Sequence, residues 1–187
     1  TAPIVAARIK TQAGFATREE IDLIDVASNQ AFSVAAALIP FLEHDDSKRT
    51  LMGANMQKQA IPCMVPMAPL VATGIEHAAA RDTGRMIIAH TDGTVTAVDG
   101  TKIDVKDPKG KTTTYTLQTF ARTNQSTIYN QRPIVSLGDK IIAGQVIADA
   151  ATTDGGQLAI GQNVLVAFLC LNGANYEDAI IISERLV

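Results

Sequence analysis

Apolar and polar positions follow two rhythms along these 187 residues, and the rhythm changes near residue 86. From Asp45 to Ala60 the chain starts polar and lacks Gly and Pro except Gly53, while Asp45, Asp46 and Ser47 can cap a helix and favour its positive end. Pro62 closes this segment, so the pattern predicts one main helix there. Upstream, the short apolar stretches Ile4 to Ile9 and Ile21 to Val26, and the small-residue run Ser33 to Ile39 that Pro40 ends, read as connecting structure. Beyond the helix, Pro62, Pro66 and Pro69 keep the chain extended, and Gly74 to Gly84 leaves room for at most a short Ala-rich helical turn.

Between Met86 and Leu117 alternation takes over: Ile87 and Ala89, Val95 and Ala97, Ile103 and Val105, Tyr115 and Leu117. These pairs are separated by Asp92-Gly93, Asp99-Gly100 and Asp107-Pro108-Lys109-Gly110. Asp-Gly tolerates the positive φ angles of two-residue hairpins, so a β-meander is predicted. Similar signals return at Ser136-Leu137-Gly138-Asp139, Ala143-Gly144 and Asp154-Gly155-Gly156, between the apolar runs Ile141-Ile142, Val146 to Ala148 and Val164 to Leu169. Short strands at close spacing suggest a barrel or sandwich. The expected class is a β-rich α+β fold with a β-meander and one main helix.

Composition narrows the classes. With 47% apolar, 19% charged and 4% aromatic residues, the chain is neither a disordered segment nor a disulfide scaffold. A net charge of −3 argues against a whole-surface grip on nucleic acid, so any phosphate contact must be local. Cys63 and Cys170 stand far apart without a CxxC or a histidine at ligand spacing, so the pattern suggests neither a zinc site nor a disulfide framework and fits a reducing, cytoplasmic setting. The longest apolar runs fall far short of the roughly 20 residues of a membrane helix. Thr1-Ala2-Pro3-Ile4 lacks the features of a signal peptide, and Ser183 to Val187 looks like the opening turn of a helix, so a piece of a longer chain is expected.

Two constellations carry candidate chemistry. At about 100° per residue, Arg49, Met52, Asn55, Met56 and Gln59 fall in one arc of roughly 120° on the predicted helix, with Leu51, Ala54 and Lys58 away from it. A guanidinium and two carboxamides on successive turns can bind phosphate and sugar oxygens. The same pattern also fits a bland arrangement, with Met52 and Met56 as core and the polar groups flanking them in solvent. The second constellation is Glu177-Asp178, followed at once by the apolar run Ala179 to Ile182. Adjacent carboxylates held by buried neighbours suit Mg²⁺, which binds one or two carboxylates, waters and substrate phosphates. They equally suit a solvated turn with ordinary surface acids, and neighbouring strand residues point to opposite faces. His44, His77 and His90 have no partner at useful spacing. The turn-strand-turn-strand unit Gly138 to Ala148 is similar to parts of lipoyl-type carriers, but Lys109 and Lys111 flank Gly110 without the Met residues usual beside a modified Lys.

Three blocks carry a stronger resemblance: Ser33 to Asp46 as SVAAALIPFLEHDD, Arg49 to Ala60 as RTLMGANMQKQA, and Asn175 to Arg185 as NYEDAIIISER. With Arg122 to Gln125, Gln131-Arg132-Pro133, Ala148-Asp149 and Asn163 to Phe168 between them, they closely resemble the β subunit of bacterial multisubunit RNA polymerase, in order and over nearly the whole chain. The resemblance implies that residues 1–45 lead into a barrel region. Residues 46–187 would then be an incomplete double-psi β-barrel of the active centre, with a hairpin insertion near 86–117. It implies that Arg49 reaches the triphosphate of the incoming nucleotide and that Asn55 and Gln59 lie near the nucleotide or the RNA end. It implies that Glu177 and Asp178 help position a second Mg²⁺, largely through water. Implied partners are the β′ and α subunits, with nucleoside triphosphate, RNA and DNA in the assembled enzyme and no membrane.

By the same resemblance the tightly held catalytic Mg²⁺ belongs to three aspartates of β′. No Asp-Phe-Asp-Gly-Asp run occurs here, so the isolated chain is expected to be inactive. The sequence departs from the family where Cys170-Leu171 replaces Pro-Trp and Ala174 replaces Tyr, thinning the aromatic packing behind the acid pair. A barrel lacking its later strands leaves an open edge, so self-association is also expected. The competing class is a non-enzymatic β-barrel binding or lipoyl-like carrier module.

Overall fold

The computed structural model describes residues 4–27 and 30–187. Residues 1–3 and 28–29, all within the expected connecting segment and including the start read as lacking a signal peptide, lie outside the described residues. The chain divides into two compact units, residues 1–60 with 71–79 and residues 61–70 with 80–187.

In the first unit, β1 (Ile4–Ile9) and β2 (Gln12–Thr17) form an antiparallel hairpin in register from Ile4 opposite Thr17 to Ile9 opposite Gln12. The short helix α1 (Val34–Ala37) starts at Ser33, whose hydroxyl accepts the Ala36 N–H at 3.2 Å. The predicted main helix is α2 (Ser47–Lys58), capped by the Asp46 carboxylate, which accepts the Lys48 N–H at 3.0 Å. Asp45 adds a second tie by accepting the Thr50 hydroxyl at 3.2 Å. The side of α2 removed from water carries Thr50, Gly53, Ala54 and Gln57. A Cβ on Gly53 would lie 3.7 Å from Ile39 Cδ1, so a small residue lets the segment after α1 come close.

The Ala-rich segment forms α3 (Glu76–Asp82), seven residues where a single turn was expected. Buried Glu76 explains its start, since its carboxylate accepts N–H groups from Thr73 at 2.9 Å and Gly74 at 2.7 Å, and the Thr73 hydroxyl at 3.2 Å. Burial raises the pKa of this carboxyl, but those hydrogen bonds and one from its own N–H together outweigh it and hold the group below the ordinary range.

The second unit is β-rich. Its largest sheet has the order β10-β4-β5-β6, built from β4 (Gly93–Val98), β5 (Lys102–Lys106), β6 (Thr112–Thr116) and β10 (Lys140–Ile141), all antiparallel. Alternation decides the faces: Val95, Ile103, Val105, Tyr115 and Ile141 point into the core, while Thr94, Thr96, Lys102, Lys106, Thr112 and Thr116 face water. A three-stranded sheet, β3-β11-β9, joins β3 (Ile87–Ile88), β11 (Val146–Asp149) and β9 (Arg132–Pro133). Ile147 and Ala148 of β11 are fully buried in the same core as Ile103. Two small hairpins complete the unit, β7 (Ala121–Arg122) with β8 (Ile128–Tyr129) and β12 (Thr153–Asp154) with β13 (Gln157–Leu158).

Three expectations need correction. The meander contains β4, β5 and β6 but not β3, which pairs with β11 instead. Asp92-Gly93 is accordingly no hairpin turn: Asp92 accepts the Ala143 N–H at 2.7 Å, and a Cβ on Gly93 would stand 2.6 Å from the Lys106 carbonyl oxygen. Glycine is needed there for close approach of two strands. Finally, Val164 to Leu169 forms no strand, and residues 162–187 hold no regular element. This segment is pinned at its start by side chains: Gln162 donates to the Val65 carbonyl, Asn163 donates to the Ala68 carbonyl at 2.8 Å, and Asn163 accepts the Leu70 N–H at 3.3 Å. After those ties no strand among the described residues lines up to satisfy its backbone, which a strand requires. Among the described residues no sheet closes into a barrel, so the fold is β-rich with few helices. No described helix is long and apolar enough to cross a membrane.

Candidate functional site

The predicted helical arc exists, and it faces water. Arg49 and Asn55 lie on α2, and Gln59 is its C-cap, with the Gln59 N–H donating to the Met56 carbonyl at 3.0 Å. All three side chains are exposed. Met52 and Met56 share the arc and are 48% and 65% exposed, which overturns the reading of them as core. The cause is that α2 packs through its small and polar side, where Gly53 and Ala54 permit close approach. Arg49 Nη1 lies 3.9 Å from Met52 Sδ, and among the described residues no carboxylate pairs with this guanidinium. The helix therefore offers a free cation and two carboxamides along one accessible face.

Glu177 and Asp178 follow a tight loop in which Asn172 has φ 52° and Gly173 φ 74°. Asn175 holds this loop: its side-chain oxygen accepts the Leu171 N–H at 2.9 Å and its amide donates to the Leu169 carbonyl at 2.6 Å. Glu177 itself sits at φ 57°, a left-handed conformation uncommon for a residue with a side chain. The expectation that the pair is anchored by buried neighbours is not met. Ile180, Ile181 and Ile182 are 84%, 47% and 52% exposed, because the run finds no strand or helix to join. Both carboxylates are exposed and, among the described residues, form no ion pair. At the family departures, Cys170 is an exposed free thiol and Leu171 is 46% exposed.

Arg49, Asn55 and Gln59 belong to the first unit, Glu177 and Asp178 to the second. Within each group the chemistry is legible: donors arranged for phosphate oxygens on one side, paired carboxylate oxygens for a hydrated cation on the other. Among the described residues no group of three His, Cys, Asp or Glu is placed to hold a metal by itself. His44 Nε2 lies 3.8 Å from Glu43 Oε1 with both side chains exposed, and the His90 ring packs on the Tyr115 ring at 5.7 Å while its backbone N–H donates to the Tyr115 hydroxyl at 3.0 Å, so neither is assigned chemistry. Lys109 and Lys111 do sit at the β5–β6 hairpin tip, where Gly110 has φ 84° and Asp107 accepts the Lys111 N–H at 2.8 Å. Sequence reasoning missed two residues. Asn175 braces the acid loop, signalled only by its place in Asn-Gly-Ala-Asn. Met52 touches Arg49, signalled by the three-residue helical spacing.

Comparison with known proteins is consistent in one direction. The family described as RNA polymerase Rpb2, domain 6, matches residues 88–187. The chain is 53% identical over 98% of its length to the DNA-directed RNA polymerase subunit beta of Rhodomonas salina, and 53% over 98% to that of Thermosynechococcus vestitus. It is 54% identical over 96% to the corresponding subunit of Guillardia theta. In each case the chain spans only 16–17% of the relative's own length.

Proposed function

The chain belongs to the RNA polymerase Rpb2, domain 6, family, and from that membership we propose that it is a segment of the β subunit of a DNA-directed RNA polymerase, shaping the nucleotide-access side of the active centre. The observation that carries this reading is the exposed arc of α2, where Arg49, Asn55 and Gln59 stand on one accessible face with the guanidinium unpaired among the described residues. In the proposed assembly with β′ and α subunits, the strands of the second unit contribute to a double-psi β-barrel completed by the rest of the polypeptide.

In this reading Arg49 binds phosphate oxygens of the incoming nucleoside triphosphate through its forked donors. Asn55 and Gln59, which both donate and accept, orient the nucleotide or the RNA end against that charge. Template-directed RNA synthesis, attack of an RNA 3′ hydroxyl on the α-phosphate, depends on such positioning and charge complementarity. Glu177 and Asp178 fit a hydrated Mg²⁺, because their carboxylates are exposed, adjacent and unpaired among the described residues. Glu177 and Asp178 would hold that ion, which would neutralise phosphate charge there. The two acids alone do not make a closed cage, which fits a metal shared with substrate phosphates and β′. The proposed setting is cytoplasmic.

The test is Arg49→Ala in the complete assembled polymerase. Loss of charge-assisted hydrogen bonds to phosphate should raise the apparent KM for nucleoside triphosphates about tenfold or more. An unchanged nucleotide dependence removes the phosphate role.

A further inference from the structure

Met52 stands one helical turn beyond Arg49, where side chains three apart meet, and its Sδ is 3.9 Å from Arg49 Nη1. Among the described residues this thioether is the only side-chain partner of the guanidinium, and neither residue is buried by the packing of α2. A carboxylate in the same place would also fix the arginine, but it would cancel the charge that a phosphate must meet. A thioether is a weak acceptor without charge. It restrains the long side chain through one N–H of Nη1 and leaves the other four donors and the full positive charge available. An arginine held this way loses less conformational freedom when it engages an anion.

We propose that Met52 is a positioning residue whose thioether pre-sets the Arg49 guanidinium for the phosphate groups of a nucleoside triphosphate; this rests on the phosphate role of Arg49 given above. The effect belongs in nucleotide binding rather than in turnover, because sulfur touches only the arginine.

The experiment measures KM and kcat for single-nucleotide addition by complete polymerase carrying Arg49→Ala, Met52→Leu, Met52→Gln or the double change Arg49→Ala with Met52→Leu. Leucine keeps the apolar bulk and removes the acceptor, whereas glutamine restores an acceptor of similar reach. Met52→Leu should raise KM roughly threefold, as loss of one modest hydrogen bond does, with kcat nearly unchanged. Met52→Gln should recover most of that loss, and Met52→Leu should add nothing once Arg49 is alanine. A KM raised by Arg49→Ala but untouched by Met52→Leu overturns the positioning role and leaves the phosphate role standing. An equal effect of Met52→Leu with and without Arg49, or an effect on kcat alone, also overturns it. If Arg49→Ala leaves KM unchanged, both readings fall together.

Discussion

The sheet around Ile103 and the segment leading to Glu177 belong to the same compact unit, yet the more continuously apolar of the two forms no strand or helix. Val95, Ile103 and Val105 are at most 1% exposed, whereas Leu165 and Phe168 are about fully exposed at 104% and 99%. The difference lies in the backbone. Each strand of the sheet has a partner delivered by local chemistry: the Asp99 carboxylate folds the chain back by accepting the Thr101 and Lys102 N–H groups at 2.6 and 2.9 Å. The loop before β10 binds β4, the Gly138 N–H donating to the Val95 carbonyl and the Val95 N–H to the Asp139 carbonyl, both at 2.9 Å. Val164 to Leu171 is tied at its start by Asn163 and at its end by Asn175, but among the described residues these ties bring no strand alongside it. An apolar run becomes a strand only when something brings a second backbone alongside.

The sharpest way to separate the two regions is to remove side chains from each. Ile103 is fully buried in a core to which β4, β5, β6, β10 and β11 contribute buried residues. Ile103→Ala should lower the unfolding free energy of the chain by about 2–5 kcal/mol, the cost of lost burial plus a cavity. Urea unfolding measures it, with the denaturant slope unchanged. A loss below about 1 kcal/mol would mean that the sheet does not govern the cooperative unit and would break the contrast.

That contrast also marks what can be read from residues alone. The α2 cap at Asp46 and the arc of Arg49, Asn55 and Gln59 were legible, because capping chemistry and helical period are local. Which side of α2 is buried was not. Met52 and Met56 weigh as apolar, but Gly53 and Ala54 win the packing by being small. Gly93 misleads for a related reason, since its missing Cβ serves contact with Lys106 and Val105 rather than a turn. The pairing of β3 with β11 joins Ile88 to Val146, and no local signal announces a partner so distant in sequence. Glu177 and Asp178 are a harder case. Nothing in their spacing distinguishes them from ordinary surface acids, and only the resemblance of their block to a polymerase subunit singles them out.

A smaller effect comes from the turn that gives β5 its neighbour. Hydrogen bonds from the Thr101 hydroxyl, then from the Thr101 N–H and, more weakly, the Lys102 N–H and charge, hold the Asp99 carboxyl below its ordinary value of 3.8 despite slight desolvation. The folded chain thus binds this proton more weakly than the unfolded chain. The stabilisation is present above the unfolded value and is lost as pH falls through the folded one. Asp99→Asn should flatten the decline in urea midpoint between about pH 5 and about pH 2 while leaving α2 untouched. Identical acid profiles for the two proteins would show that the carboxylate does not set the β4–β5 turn.

The smallest expected change in stability lies at Phe168, and there a second measurement carries the information. Its ring is 99% exposed, so Phe168→Ser removes no packing and should shift the unfolding free energy by less than about 0.5 kcal/mol. The same ring, with Leu165 and Val166, forms an exposed apolar stretch that pairs with no strand among the described residues, the combination that favours association of one chain with another. Sedimentation at rising concentration should show self-association of the 187-residue chain that Phe168→Ser weakens while Ile103→Ala does not relieve it. A strictly monomeric mass at every concentration would remove the self-association. A large loss of stability from Phe168→Ser would show instead that in solution this segment packs as tightly as the sheet, and the two regions would no longer differ in kind.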